Sequence, residues 1–137
     1  MTPETVARLA VARAYRDLSD LARRGLGNIS SGAGSRERIE EARRLRVMVN
    51  ELVDRVVLAE ALGGEPWEKI TQALRRRDTG TVQAEYEVAV REWQAAPAEA
   101  FGGIDGDARE LDTWYRAHRE DTDPAVENPA SGLLRVD

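Results

Sequence analysis

Cysteine is absent from this chain and histidine occurs once, so disulfide bonds, thiolate metal sites and His-rich zinc sites are all excluded. Aromatic side chains make up only 5% of the residues, so aliphatic side chains must fill most of any core; with 42% of 137 residues hydrophobic, there are enough for one. No segment approaches the roughly 20 uninterrupted apolar residues of a membrane span. Met1-Thr2-Pro3-Glu4 also lacks the basic stretch and apolar run of a signal peptide. These absences lead to the expectation of a soluble, cytoplasmic protein without membrane contact, metal or cofactor. Lysine is nearly missing as well: Lys69 stands alone beside abundant arginine, a bias of GC-rich bacterial genomes that carries no function by itself.

The net charge of −5 argues against a simple basic nucleic-acid binder, because neutralised phosphates supply most non-specific affinity. The distribution matters more. Residues 1–77 hold 15 basic and 11 acidic side chains (+4), whereas residues 78–137 hold 5 basic and 14 acidic (−9). Such asymmetry implies two functional faces, or an acidic part that shields a basic one.

Periodicity near 3.6 dominates the chain and predicts an all-α helical bundle. Thr2 as cap and Pro3 at the first helical position open a helix over about 3–24, with Gly25 as its stop and Val6, Leu9, Ala14, Leu18 and Leu21 on its apolar face. The glycine- and serine-rich stretch 25–34 then reads as a flexible connection between antiparallel helices. Ser35 is expected to cap a long central helix, about 36–62. Its residues Ala42, Leu45, Val49, Leu52, Val56 and Ala59 alternate spacings of three and four, the seam of a coiled coil or bundle. A homodimer through Leu45, Val49, Leu52 and Val56 competes with burial inside one chain, and Met48, Val53 and Val57 widen the stripe towards a second neighbour. Gly63-Gly64 ends this helix. Pro66 starts a short one bearing Trp67, Ile70, Ala73 and Leu74, and a further helix over about 80–94 carries Val82, Tyr86, Ala89, Val90 and Trp93. A loop over 98–106, in which Phe101 and Ile104 should dock on the bundle, precedes a last helix from Asp107. One helical domain over 1–120 and an extended tail over 121–137 complete the expected organisation.

The stretch Gly63-Gly64-Glu65-Pro66-Trp67-Glu68-Lys69-Ile70-Thr71-Gln72-Ala73-Leu74, followed by Thr81-Val82-Gln83-Ala84-Glu85-Tyr86, resembles the small helix-turn-helix proteins of actinobacteria and region four of bacterial sigma factors. The resemblance covers about residues 52–93. The chain departs from that pattern in two places: Arg75 stands where the family has a turn glycine, and the turn Arg75 to Gly80 is about one residue longer. The resemblance implies a DNA-binding, transcription-associated protein whose double-stranded DNA contacts come from Arg75, Arg76, Arg77, Thr79, Thr81, Gln83 and Arg91. Arginine suits phosphate or the guanine edge, glutamine adenine, and hydroxyls phosphate at a helix N-terminus. Against this, three arginines after a helix also suit its negative dipole end, and Glu85, Glu87 and Glu92 would repel phosphate. A second reading therefore stays open, in which the acidic half makes the chain an interaction module for a protein partner: an adaptor, an antitoxin or a sigma-factor-binding protein.

No residue set points to catalysis. His118 has Asp112, Glu120 and Asp121 nearby but no nucleophile at a defined spacing. Asp105-Gly106-Asp107 is too short for a calcium loop. Trp67, Trp93 and Trp114 are expected as core anchors, and Arg43, Arg44 and Arg46 as partners of Glu40 and Glu41 along their own helix.

Overall fold

Thr2 and Pro3 start the first helix as their chemistry dictates. In the computed structural model, which describes residues 1–97, 100 and 102–135, the Thr2 hydroxyl oxygen accepts the Thr5 N–H at 3.2 Å and Pro3 takes the first helical position. Helix α1 runs Pro3–Gly27. It passes through Gly25 because Asn28 is the C-cap, its backbone N–H reaching the carbonyls of Arg24 and Gly25. A 3-10 turn, Asn28–Ser30, leads to α2, Ser35–Leu62. Gly34, not Ser35, is the N-cap of α2, and the Glu37 carboxylate accepts the Gly34 N–H.

Glu4 lies beside Gly63 at one end of the pair, while Asn28 Nδ2 donates to Glu41 at 3.4 Å near the other, so α1 and α2 form an antiparallel hairpin. Helices α3 (Trp67–Ala73), α4 (Thr79–Ala95) and α5 (Ile104–His118) follow, with a final 3-10 turn, Ser131–Arg135. The protein is all-α; no strand occurs among the described residues. None of its described helices is long and apolar enough to cross a membrane.

Two hydrophobic clusters hold the helices together. Val57 of α2, Ile70 of α3 and Val82 of α4 form one, with Trp67, Leu74 and Tyr86 against it. Val57 thus gives α2 the second neighbour its wide apolar stripe predicts. The other cluster joins Val6 and Leu9 of α1 to Ile104, Ala108 and Leu111 of α5, and Trp93 of α4 packs on it. Burying each such aliphatic side chain contributes about 1.5–3 kcal/mol.

Helix α5 starts three residues before the expected Asp107, because Gly103 takes a left-handed conformation (φ 79°) that aims Ile104 into the second cluster. Phe101 lies outside the described residues.

The segment after α5 is not the free extended tail that its aperiodic, acidic sequence suggests. Asp112, buried on α5, accepts the Ala130 N–H at 2.7 Å and the Ser131 N–H at 3.2 Å. Tyr115 donates to the Pro124 carbonyl, Arg116 to the Glu127 carbonyl and Arg119 to the Val126 carbonyl. Leu133 and Leu134 then pack on the α1–α5 cluster. Residues 120–135 form a clasp whose anchors are side chains of α5 and of its C-cap, Arg119.

The expected seam of α2 is split by its neighbours. Leu52 and Ala59 are buried and Leu45 half-buried, whereas Ala42 and Val49 are exposed and Val56 half-buried. Leu52, proposed from sequence as a dimer contact, therefore belongs to the inside of the molecule. Among the described residues Arg43, Arg44 and Arg46 form no ion pair; only Arg36 pairs with Glu40, at 3.0 Å.

Candidate nucleic-acid interface

The C-terminal end of α2 and helices α3 and α4 build a three-helix unit around Val57, Ile70 and Val82. Both turns inside it close in the same way. After α2, the Glu65 N–H returns to the Glu60 carbonyl and the Gly64 N–H to the Ala61 carbonyl, with Gly64 left-handed at φ 90°. After α3, the Arg76 N–H returns to the Thr71 carbonyl and the Arg75 N–H to the Gln72 carbonyl, with Arg75 left-handed at φ 57°. Each is a Schellman motif. Arg75 is the only non-glycine residue with positive φ among those described. The turn thus closes on an arginine, at the cost of a conformation that side chains disfavour by about 1–2 kcal/mol.

The three arginines differ in state. Arg75 and Arg77 are exposed and have no ion-pair partner among the described residues. Arg76 reaches across to Glu85 on α4, Nη1 and Nη2 each 2.8 Å from a carboxylate oxygen. The hydrogen bond from Arg76 holds the Glu85 carboxyl below its ordinary range, and its counterpart holds the Arg76 guanidinium above its own.

At the start of α4 the expected phosphate site is already filled. Asp78 is the N-cap, and its carboxylate accepts the Thr81 N–H at 3.1 Å. That backbone hydrogen bond, reinforced by the Thr81 hydroxyl, keeps Asp78 below the usual carboxylate range. An aspartate followed three residues later by an amide at a helix start was a readable cap signal in Asp78-Thr79-Gly80-Thr81.

Along α4, Thr81, Ala84, Glu85, Val88, Arg91 and Glu92 are exposed, Val88 at 58%. Thr79 and Gln83 are half-buried. At 3.6 residues per turn, Gln83 lies roughly 200° around the helix from Thr81. These two expected DNA contacts, one to phosphate and one to a base edge, therefore do not share a face. Arg91 does lie on the exposed side, with Glu87 3.4 Å away. Behind this surface Tyr86 donates its hydroxyl to Asp54 of α2 at 2.8 Å, and burial, with help from Asp54, pushes its pKa up to about 12. This link ties α4 to α2.

The remaining candidates make contacts within the fold. His118 Nδ1 lies 2.7 Å from the Trp114 carbonyl oxygen, and its ring stacks on Trp114 at 4.6 Å. Trp114 Nε1 donates to Asp20 of α1 at 3.1 Å. Burial opposes the charge on Asp20, but the hydrogen bonds from Trp114 and Arg23 prevail and keep its pKa low. Asp105 and Asp107 sit in the first turn of α5, and no acidic or histidine cluster able to hold a metal occurs among the described residues. Comparison with protein-family models, with curated proteins and with solved structures gives no match.

Proposed function

We propose that the α3–α4 unit binds double-stranded DNA, and that the protein is a cytoplasmic, non-enzymatic, transcription-associated factor working as a homodimer. The observation that carries this reading is the turn between α3 and α4. It presents Arg75 and Arg77, both exposed and without an acidic partner among the described residues, and leads directly into α4, whose exposed face carries Thr81, Ala84, Val88 and Arg91 along with Glu85 and Glu92. Arginines there suit the phosphate backbone, while Thr81 and the apolar Val88 suit base edges and thymine methyl groups in a major groove. Replacing Arg75 and Arg77 together by alanine should weaken binding to all duplexes and reduce its salt dependence. Fluorescence anisotropy over a salt series measures both. Wild-type protein that binds no duplex at low salt would remove the proposal.

A second reading has its own support. Glu85 and Glu92, both exposed and seven residues apart, give α4 an acidic flank, and Asp78 occupies its N-terminus. An acidic helix with a small exposed apolar centre at Val88 fits a basic protein partner, and that binding would be lost in Glu85→Lys and Glu92→Lys together.

A further inference from the structure

The covered and uncovered flanks of α2 differ by one heptad column. Leu52 and Ala59 are buried and Leu45 half-buried, whereas Ala42, Arg46, Val49 and Val53 are exposed and continue into the half-buried Val56 and Glu60 as the outer flank. Val49 and Val53 remain 43% and 42% exposed. Val53 and Val56 also floor an apolar groove of about 450 Å³, walled by Tyr15 of α1, by Ala73 of α3 and by Leu74, its C-cap.

We propose that a second copy of this chain covers the outer flank, with the two α2 helices antiparallel and the two-fold axis passing Val53. The charges on the flank set the direction. Arg46, Val53 and Glu60 are spaced by seven, so they stay on one face with only about 20° of drift per heptad. An antiparallel pair centred on Val53 sets Arg46 of each copy against Glu60 of the other, twice. A parallel pair would set arginine on arginine and glutamate on glutamate. Arg46 has no ion pair within the described residues, and Glu60 is only approached by Arg8, at 3.8 Å, with 44% of its side chain exposed. Arg46 is free to engage, and Glu60 can turn to it from its long contact with Arg8, whose shorter pair, at 2.9 Å, is with Glu4. The pairing also gives the half of α2 that lacks α3 beside it a place against the α3 wall of the second copy, and it leaves the α3–α4 units at opposite ends.

This rests on the homodimer in the proposed function and not on its DNA contact, so the test contains no DNA. The full chain should sediment as a dimer at submillimolar concentration, and Val53→Glu, at an exposed position, should give a monomer with an unchanged helical circular dichroism spectrum. Arg46→Glu and Glu60→Arg should each raise the dissociation constant at least about tenfold. An equimolar mixture of those two variants should pair again, because both contacts in the mixed dimer are of opposite sign. The positions are about 21 Å apart along one helix, so the rescue cannot arise within a chain. A monomeric wild type, a dimeric Val53→Glu or a mixture that does not pair would each overturn the proposal, and none of these would touch the DNA reading.

Discussion

Gly64 and Arg75 occupy the same position in two copies of one turn: each follows a helix C-cap, each is left-handed, and each sits inside the same pair of returning hydrogen bonds. Only glycine is at ease there. Arg75→Gly should therefore stabilise the protein by about 1 kcal/mol in urea unfolding, the relief of side-chain strain exceeding the added chain entropy. The same change should weaken DNA binding by removing an exposed arginine. Stability gained with affinity lost would mark the strain as kept for function; equal affinity would assign Arg75 no role at the interface.

Glu85 occupies both terminal nitrogens of Arg76. Glu85→Gln should release it, raise duplex affinity and steepen the dependence of log K on log salt by about one contact. Anisotropy titrations at several salt concentrations read this directly, and an unchanged slope would place Arg76 outside the DNA contact.

Tyr86 provides the alkaline limb of stability. Its pKa is about 12 in the folded protein against an ordinary 10, so the fold prefers the protonated phenol. That contribution is complete below pH 10 and disappears as the pH rises through 10 to 12. Tyr86→Phe should lose about 1 kcal/mol at neutral pH with the Asp54 hydrogen bond, and should flatten the decline above pH 10. Urea midpoints across that range decide it.

The acid side involves Asp20, Asp78 and Glu85, all held below their ordinary values. Their support is present above about pH 4.5 and is lost as the pH falls through their lowered folded values. Asp78→Ala should lower the melting temperature as a lost helix cap and should reduce the acid sensitivity measured by thermal melts.

Asp112 anchors the clasp from within the core. Asp112→Ala leaves the Ala130 and Ser131 amides without their acceptor and should cost about 1–3 kcal/mol. Limited proteolysis should then cut between residues 119 and 130 first. A variant as resistant as wild type would show that Leu133 and Leu134 hold the segment unaided.

Most helices were legible because each has both a period and a punctuation mark: Thr2-Pro3, Gly63-Gly64, Pro66. The rest failed for separate reasons. Periodicity names an apolar face but not what covers it, so one stripe on α2 concealed the division between Leu52, covered, and Val49, open. The clasp carries no period, since its order comes from α5 side chains bonded to backbone carbonyls and amides. The closed turn at Arg75 was not legible because a left-handed arginine is rare. Gln83 could have been placed correctly: two residues from Thr81 is more than half a turn.

The α1–α5 cluster brings Val6 and Leu9 together with Ala130 and Leu133, residues more than a hundred positions apart. The α1–α2 hairpin and the α3–α4 unit can close from neighbours in sequence, but this cluster must wait until the clasp has been synthesised. During that interval the apolar side chains of α1 facing α5 lie open to chaperones and to other chains. The protein should accordingly acquire its helices early on the ribosome and its protease resistance late, in one step, when residues 130–134 emerge.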